Sequence, residues 1–275
     1  MAPIIEVSND VLDDLNQRGV DYTLRPDLEN PRTEQVADLS DSNWIVIPYE
    51  FTNGRYSASI NPARLAYSPA FEHAGKELGL NLGNTSRDSL GREFVGNIRW
   101  QEAMNLLDSL GVSGVSTEMN TDYLRLLDQG RKQETEVYDV SGRRLDPRFL
   151  SQLFDDSIKT QSPWREEWFD TYFKQRKYGL DVLTENKRKA ERLDDDTLME
   201  DRLPGISLGS LLENPTEQGL PRADIEEGNL SSWHPRDGAV ARLDAGSYWA
   251  YLGSGRYPLG RDSCLGVRSA IKRDA

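Results

Sequence analysis

The chain has 275 residues, one cysteine, two histidines and a formal net charge of −13. With 37% hydrophobic and 9% aromatic residues it can bury a core, which excludes a disordered polymer. The lone Cys264 excludes a disulfide scaffold and paired-cysteine zinc or redox motifs, and His73 and His234 do not suffice for a multi-histidine metal site. An excess of 46 acids over 33 bases argues against a nucleic-acid partner, which needs a basic face. No apolar run approaches the roughly 18 residues that cross a membrane, and the N-terminus lacks a basic-then-apolar secretory signal. The expectation is a soluble protein made in the cytoplasm, without membrane insertion.

Residues 1–40, with Pro26 and Pro31, read as an N-terminal extension. Trp44-Ile45-Val46-Ile47 is a short buried-strand signal stopped by Pro48, and 52–70 is rich in turn formers and reads as irregular. From Asn97, the residues Trp100, Ala103, Met104, Leu107 and Leu110 repeat at helical spacing, with Gly111 as a stop. Ser116-Thr117-Glu118 offers an N-cap and first-turn acid for a second helix striped by Met119, Tyr123, Leu126 and Leu127 and ended by Gly130. The short Gly111–Gly114 loop predicts that the two helices pack as neighbours. Between 131 and 230, Trp164, Trp168 and Tyr172, flanked by Phe169 and Phe173, fit an aromatic helical stripe, and the rest reads as a large irregular surface insertion. Asp194-Asp195-Asp196 lacks the alternation and glycine of a calcium loop and reads as a solvated face.

The C-terminal segment has a different composition. From Gly228 to Ile271, 44 residues pass without Glu, Lys, Gln or Met, although the chain holds 41 of these residues. Residues 231–275 carry seven bases against four acids, opposite in sign to the whole chain. Between Val240 and Gly266, Tyr, Trp, Arg, Gly and Ser dominate. Large rigid aromatics, planar guanidinium donors and adaptable small residues make up the composition of a paratope. The same Gly/Tyr/Ser richness also suits tight turns closing an α+β domain, and composition leaves both readings open.

Codon chemistry bears on the choice. Randomising the adenines of AAY codons gives NNY codons, which never specify Glu, Lys, Gln, Met or Trp. Between Val240 and Gly266 the chain lacks four of these five, and the single Trp249 there would have to be a fixed position. Leu265-Gly266-Val267-Arg268-Ser269-Ala270 resembles the LGVR(A/S)A close of variable regions written by diversity-generating retroelements, and Gly246-Ser-Tyr-Trp249 resembles their GG-x-W opening. The same signatures bracket the end of the formylglycine-generating-enzyme type of C-type lectin fold. Gly96-Asn-Ile-Arg-Trp100-Gln-Glu-Ala103 resembles its first helix start. Ser116-Thr117-Glu118 is similar to its second, with Ser116 in place of proline and the aromatic displaced to Tyr123. Trp233-His-Pro-Arg-Asp-Gly238 resembles archaeal variable proteins with long insertions.

The resemblance implies a single α+β, C-type-lectin-like domain over 1–275, with an extension (1–40), an insertion (131–230) and a variable region (231–271). It implies non-catalytic binding of a protein or glycan on a cell surface, by a chain that is virion-associated or displayed at a cell surface, with no cofactor and no metal. Binding positions would be Arg242, Asp244, Gly246, Tyr248, Tyr251, Gly253, Ser254, Gly255, Tyr257, Leu259, Gly260, Arg261 and Cys264. Trp249, Leu252, Leu265, Gly266, Val267 and Arg268 would be scaffold, with Trp249 pointing inward. The alternatives are an oxidase of the same fold, which would need a second nearby cysteine, and an inert structural protein.

Overall fold

The computed structural model describes residues 44–80, 85–88, 91–160 and 164–274, so the extension expected over 1–40 lies outside the described residues. The fold is α+β. β1 (Ile45–Ile47), β2 (Tyr56–Ile60), β5 (Ser113–Gly114) and β14 (Ser269–Asp274) form a small sheet in the order β1-β2-β14-β5. The large sheet runs β8-β7-β6-β11-β12-β10-β9. Its strands are β6 (Arg165–Gln175), β7 (Leu180–Thr184), β8 (Lys189–Arg192), β9 (Arg202–Ile206), β10 (Leu230–Trp233), β11 (Val240–Ala245) and β12 (Ala250–Arg256). β13 (Leu265–Val267) adds beside β6, in parallel. β3 (Thr85–Arg87) and β4 (Glu93–Val95) form a hairpin. β2 lies within 52–70, so that segment is not wholly irregular.

Both predicted helices form, each with a local reason. α2 (Trp100–Ser109) begins where the Glu102 carboxylate accepts the Arg99 backbone N–H at 3.0 Å, and it stops at Gly111, whose φ is +73°. α3 (Thr117–Arg131) is capped by the Ser116 hydroxyl, which accepts the Met119 N–H at 3.2 Å. Gly130 does not end α3. It lies inside the helix, where a Cβ would come within 2.6 Å of Val137 Cγ2 and 2.7 Å of Leu150 Cδ1, so glycine lets α4 (Pro147–Ile158) approach. α1 (Pro69–Glu77) and the short α5 (Leu208–Glu213) complete the α-helices among the described residues, and Tyr49–Thr52 forms a 3-10 turn.

α2 and α3 do not pack as neighbours, because β5 intervenes and directs them into separate cores. Met104 and Leu107 of α2 join Phe71, Trp168, Val240, Leu265 and Val267, whereas Met119, Tyr123 and Leu127 of α3 join Phe169, Phe173, Leu243 and Leu252. β6 divides these cores and is buried on both faces. The predicted aromatic stripe is therefore a strand, not a helix: Trp164, Trp168 and Tyr172 are four apart, a spacing shared by a helix face and alternate strand positions. Trp168 donates its indole N–H to Ile98 O at 2.9 Å, and Trp100 donates to Phe169 O at 2.6 Å, stitching α2 to the strand. The stretch 131–230, expected as an irregular surface insertion, supplies α4, α5 and the strands β6 to β9, including β6 beside the central strand β11 of the large sheet.

Candidate functional site

Register carries residues from four strands onto one face of the large sheet. Asp244 of β11 lies opposite Glu166 of β6 and Tyr251 of β12, Arg242 lies opposite Trp168 and Gly253, and Trp233 of β10 pairs with Gly253. Arg242 holds both acids: its Nε is 2.8 Å from Asp244 Oδ1 and its Nη1 is 3.3 Å from Glu166 Oε2. Arg256 packs against both the Trp233 and Tyr251 rings, 4.8 and 4.6 Å from their centroids, the two rings meeting edge to face, with Nη2 3.4 Å from Asp244 Oδ2. A guanidinium packed against two rings and paired with a buried carboxylate is oriented before any ligand arrives. Burial, then the neighbouring Asp244 charge, pushes the Glu166 carboxyl up to about 7 and the Tyr251 phenol up to about 12.

Two loops border this floor. In the β11–β12 turn the Gly246 N–H donates to Trp249 O at 3.1 Å, and Ser247 Oγ accepts the Trp164 indole N–H at 2.9 Å. Trp164, Tyr248 and Trp249 are all exposed there, Tyr248 at 83%. The second loop, 257–264, runs from the end of β12 across Trp168 to β13 and exposes Tyr257 and Leu259. Arg261 pins it to the start of α2, donating to Asn97 O at 2.8 Å and Glu102 Oε1 at 2.5 Å. At its end, Cys264 and Asp262 meet Glu166, with one ligand-type atom from each within 4.8 Å of the others. Burial and the Glu166 charge push the Cys264 thiol far up, so it stays protonated and donates to Asp262 Oδ1 at 3.1 Å.

The predicted binding positions therefore divide. Arg242, Asp244, Tyr251 and Gly253 share the floor. Gly246 and Tyr248 share the first loop, and Tyr257, Leu259, Gly260, Arg261 and Cys264 share the second. Asp244 is not an exposed side chain: it is 2% exposed, because Arg242, Arg256 and Tyr251 enclose it. Gly253 is buried under the Arg256 side chain, and Gly255 is half-buried against Arg236. Ser254 is fully buried, alternating with Gly253 toward the opposite face. Of the predicted scaffold, Leu252, Leu265, Gly266, Val267 and Arg268 are buried.

Trp249 departs from the scaffold role, since it is 59% exposed. The inward positions at this turn are the facing pair Ala245 and Ala250, and the indole lies instead beside Tyr248, with ring centroids 6.1 Å apart. Sequence reasoning missed Glu166 and Arg256, and it read Trp164 as part of a helical stripe and Trp233 as part of the 233–238 motif rather than as site residues. Reading 165–175 as a strand would have placed Trp164 and Glu166 in phase with Trp168. No protein-family model matches the chain, and no match is found among curated proteins or solved structures.

Proposed function

We propose that this chain is a non-catalytic ligand-binding protein of the retroelement-diversified kind, with a lectin-like scaffold of the formylglycine-generating-enzyme type. Its ligand is a protein or glycan on a cell surface, and it acts from a virion or a cell surface. One observation carries the reading. Within the compositionally biased segment, the exposed large apolar side chains Tyr248, Trp249, Tyr257 and Leu259 stand on two loops, while Leu252, Leu265, Val267 and Arg268 are buried beneath them. Side chains on such loops can change without disturbing the core, and aromatic rings beside fixed guanidinium groups are the usual anchors of recognition.

Randomisation tests this directly. A display library varied at Ser247, Tyr248, Tyr257 and Leu259 is expected to fold in most members, by retained protease resistance, and to yield binders to unrelated immobilised proteins. A library in which most members unfold would contradict the reading. Metal analysis bears on the oxidase alternative, favoured only by the grouping of Glu166, Asp262 and Cys264. Protein purified without chelators is expected to hold well under one transition-metal ion per chain. One tightly held ion per chain would favour the enzyme reading.

A further inference from the structure

A separate concavity lies away from the floor and its loops. A cavity of about 420 Å³, ample for a small molecule, opens between the end of α2, β5, the start of α3 and the β7–β8 turn. One wall is Asp170 of β6, only 2% exposed. Among the described residues its two carboxylate oxygens share a single donor, the Asn186 backbone N–H, at 3.0 and 3.2 Å. No Lys, Arg or His forms an ion pair with Asp170 among the described residues.

The bases lining the cavity are committed elsewhere. Arg188 is bound to Asp108 by two hydrogen bonds, at 2.8 and 2.9 Å, and Lys272 reaches Glu118 at 3.4 Å. The charged residues that line the cavity, Asp108, Asp170 and Glu185 against Arg188 and Lys272, leave it with an excess of negative charge. Burial pushes the Asp170 carboxyl up to about 7, against the opposing pull of the Asn186 N–H and the Arg188 charge. The backbone at the mouth is strained as well: Glu185, Asn186 and Lys187 have φ of 52°, 55° and 68°, three consecutive left-handed residues without a glycine. The contact of Asn186 with Asp170 fastens that turn, so the strained backbone and the buried acid belong to one arrangement.

We propose that this cavity binds a small organic cation bearing a primary ammonium group, an aliphatic amine or diamine, through Asp170. The ammonium replaces the missing counter-ion, and the Ser113 and Thr184 hydroxyl oxygens in the wall supply further acceptors. Glu185 at the mouth suits a second positive group. A bare metal ion fits less well, because the donor set capable of holding one among the described residues lies elsewhere, at Glu166, Asp262 and Cys264.

Calorimetric titration of the full chain with 1,5-diaminopentane at pH 8 tests the proposal. A saturable 1:1 isotherm is expected, with a dissociation constant below about 1 mM, weakened at least about ten-fold in Asp170→Asn and absent with pentan-1-ol or pentanoate. In ¹H–¹⁵N spectra of the unaltered chain, the Asn186 amide is expected to move with the same saturation curve. That readout decides the matter if Asp170→Asn does not fold. No saturable heat up to about 10 mM, an unweakened Asp170→Asn, or shifts confined to exposed acids such as Asp194–Asp196 would overturn it.

Discussion

Arg268 has no exposed surface, and its charge is met from several sides. Its Nε donates to Glu167, its Nη2 donates to Asn120 Oδ1 at 2.6 Å, and its guanidinium lies 4.6 Å from the Tyr123 ring centroid. Glu167 also accepts from Arg165 at 2.9 Å, and Arg165 pairs in turn with Asp156. Removing one member leaves a buried charge unpaired, so Arg268→Ala or Glu167→Ala should cost about 3–5 kcal/mol in denaturant melts. Trp249→Ala, at an exposed site, should change stability by no more than about 0.5 kcal/mol. Equal losses for Arg268→Ala and Trp249→Ala would contradict this division.

Asp170 gives a pH-dependent expectation. Its folded pKa, about 7, lies above the ordinary 3.8, so its neutral form is favoured by folding. The stability it contributes is fully present below about pH 4 and is lost as pH rises toward and through 7. Asp170→Asn, which cannot ionise, should therefore be more stable than the unaltered chain at pH 8, by about 1–3 kcal/mol, and nearly equal to it at pH 4. Paired thermal melts at the two pH values check the sign, and a destabilised variant at pH 8 would refute it. None of this was legible in the sequence, where Asp170 is one acid within an aromatic run. Arg268 was legible as scaffold through its LGVR setting, but its partner Glu167, 101 residues away, was not.

At the scale of elements, α2 and α3 were readable because a one-sided apolar stripe agrees with a stop at Gly111 for α2 and with an N-cap at Ser116 for α3. β6 was not. A strand buried on both faces loses the alternation that marks a half-exposed strand, and its 165–175 residues carry Arg165, Glu166, Glu167 and Asp170 where an apolar run would be expected. Those charges are tolerated because Asp156, Arg268, Arg242 and Asn186, from four other parts of the chain, meet them. Gly130 shows the same limit: locally it reads as a helix stop, and only the arrival of α4 reveals a close approach. Gly130→Ala should destabilise by about 1–3 kcal/mol through overpacking against Val137 and Leu150, rather than stabilise α3 as propensity alone would suggest. Chemical denaturation distinguishes the two signs.

At the scale of the molecule, the end of the biased segment passes from one sheet to the other. Leu265–Val267 add to β6 of the large sheet, Arg268 turns inward, and Ser269–Asp274 join β2 and β5 of the small one. The segment is thus anchored at both ends of its loops, by β11–β12 and by β13–β14, and its exposed aromatics fall between the anchors. No helix among the described residues is long and apolar enough to cross a membrane. If the segment is a diversified surface on a fixed scaffold, as proposed, the DNA flanking the gene carries its template. Sequencing that DNA is expected to find a near-copy of the codons for 231–271 beside a reverse-transcriptase gene, with AAY opposite Tyr248, Tyr257, Leu259 and Arg261 and none opposite Leu252, Leu265, Gly266, Val267 or Arg268. Absence of such a copy, or adenines concentrated opposite the buried positions, would contradict the proposal.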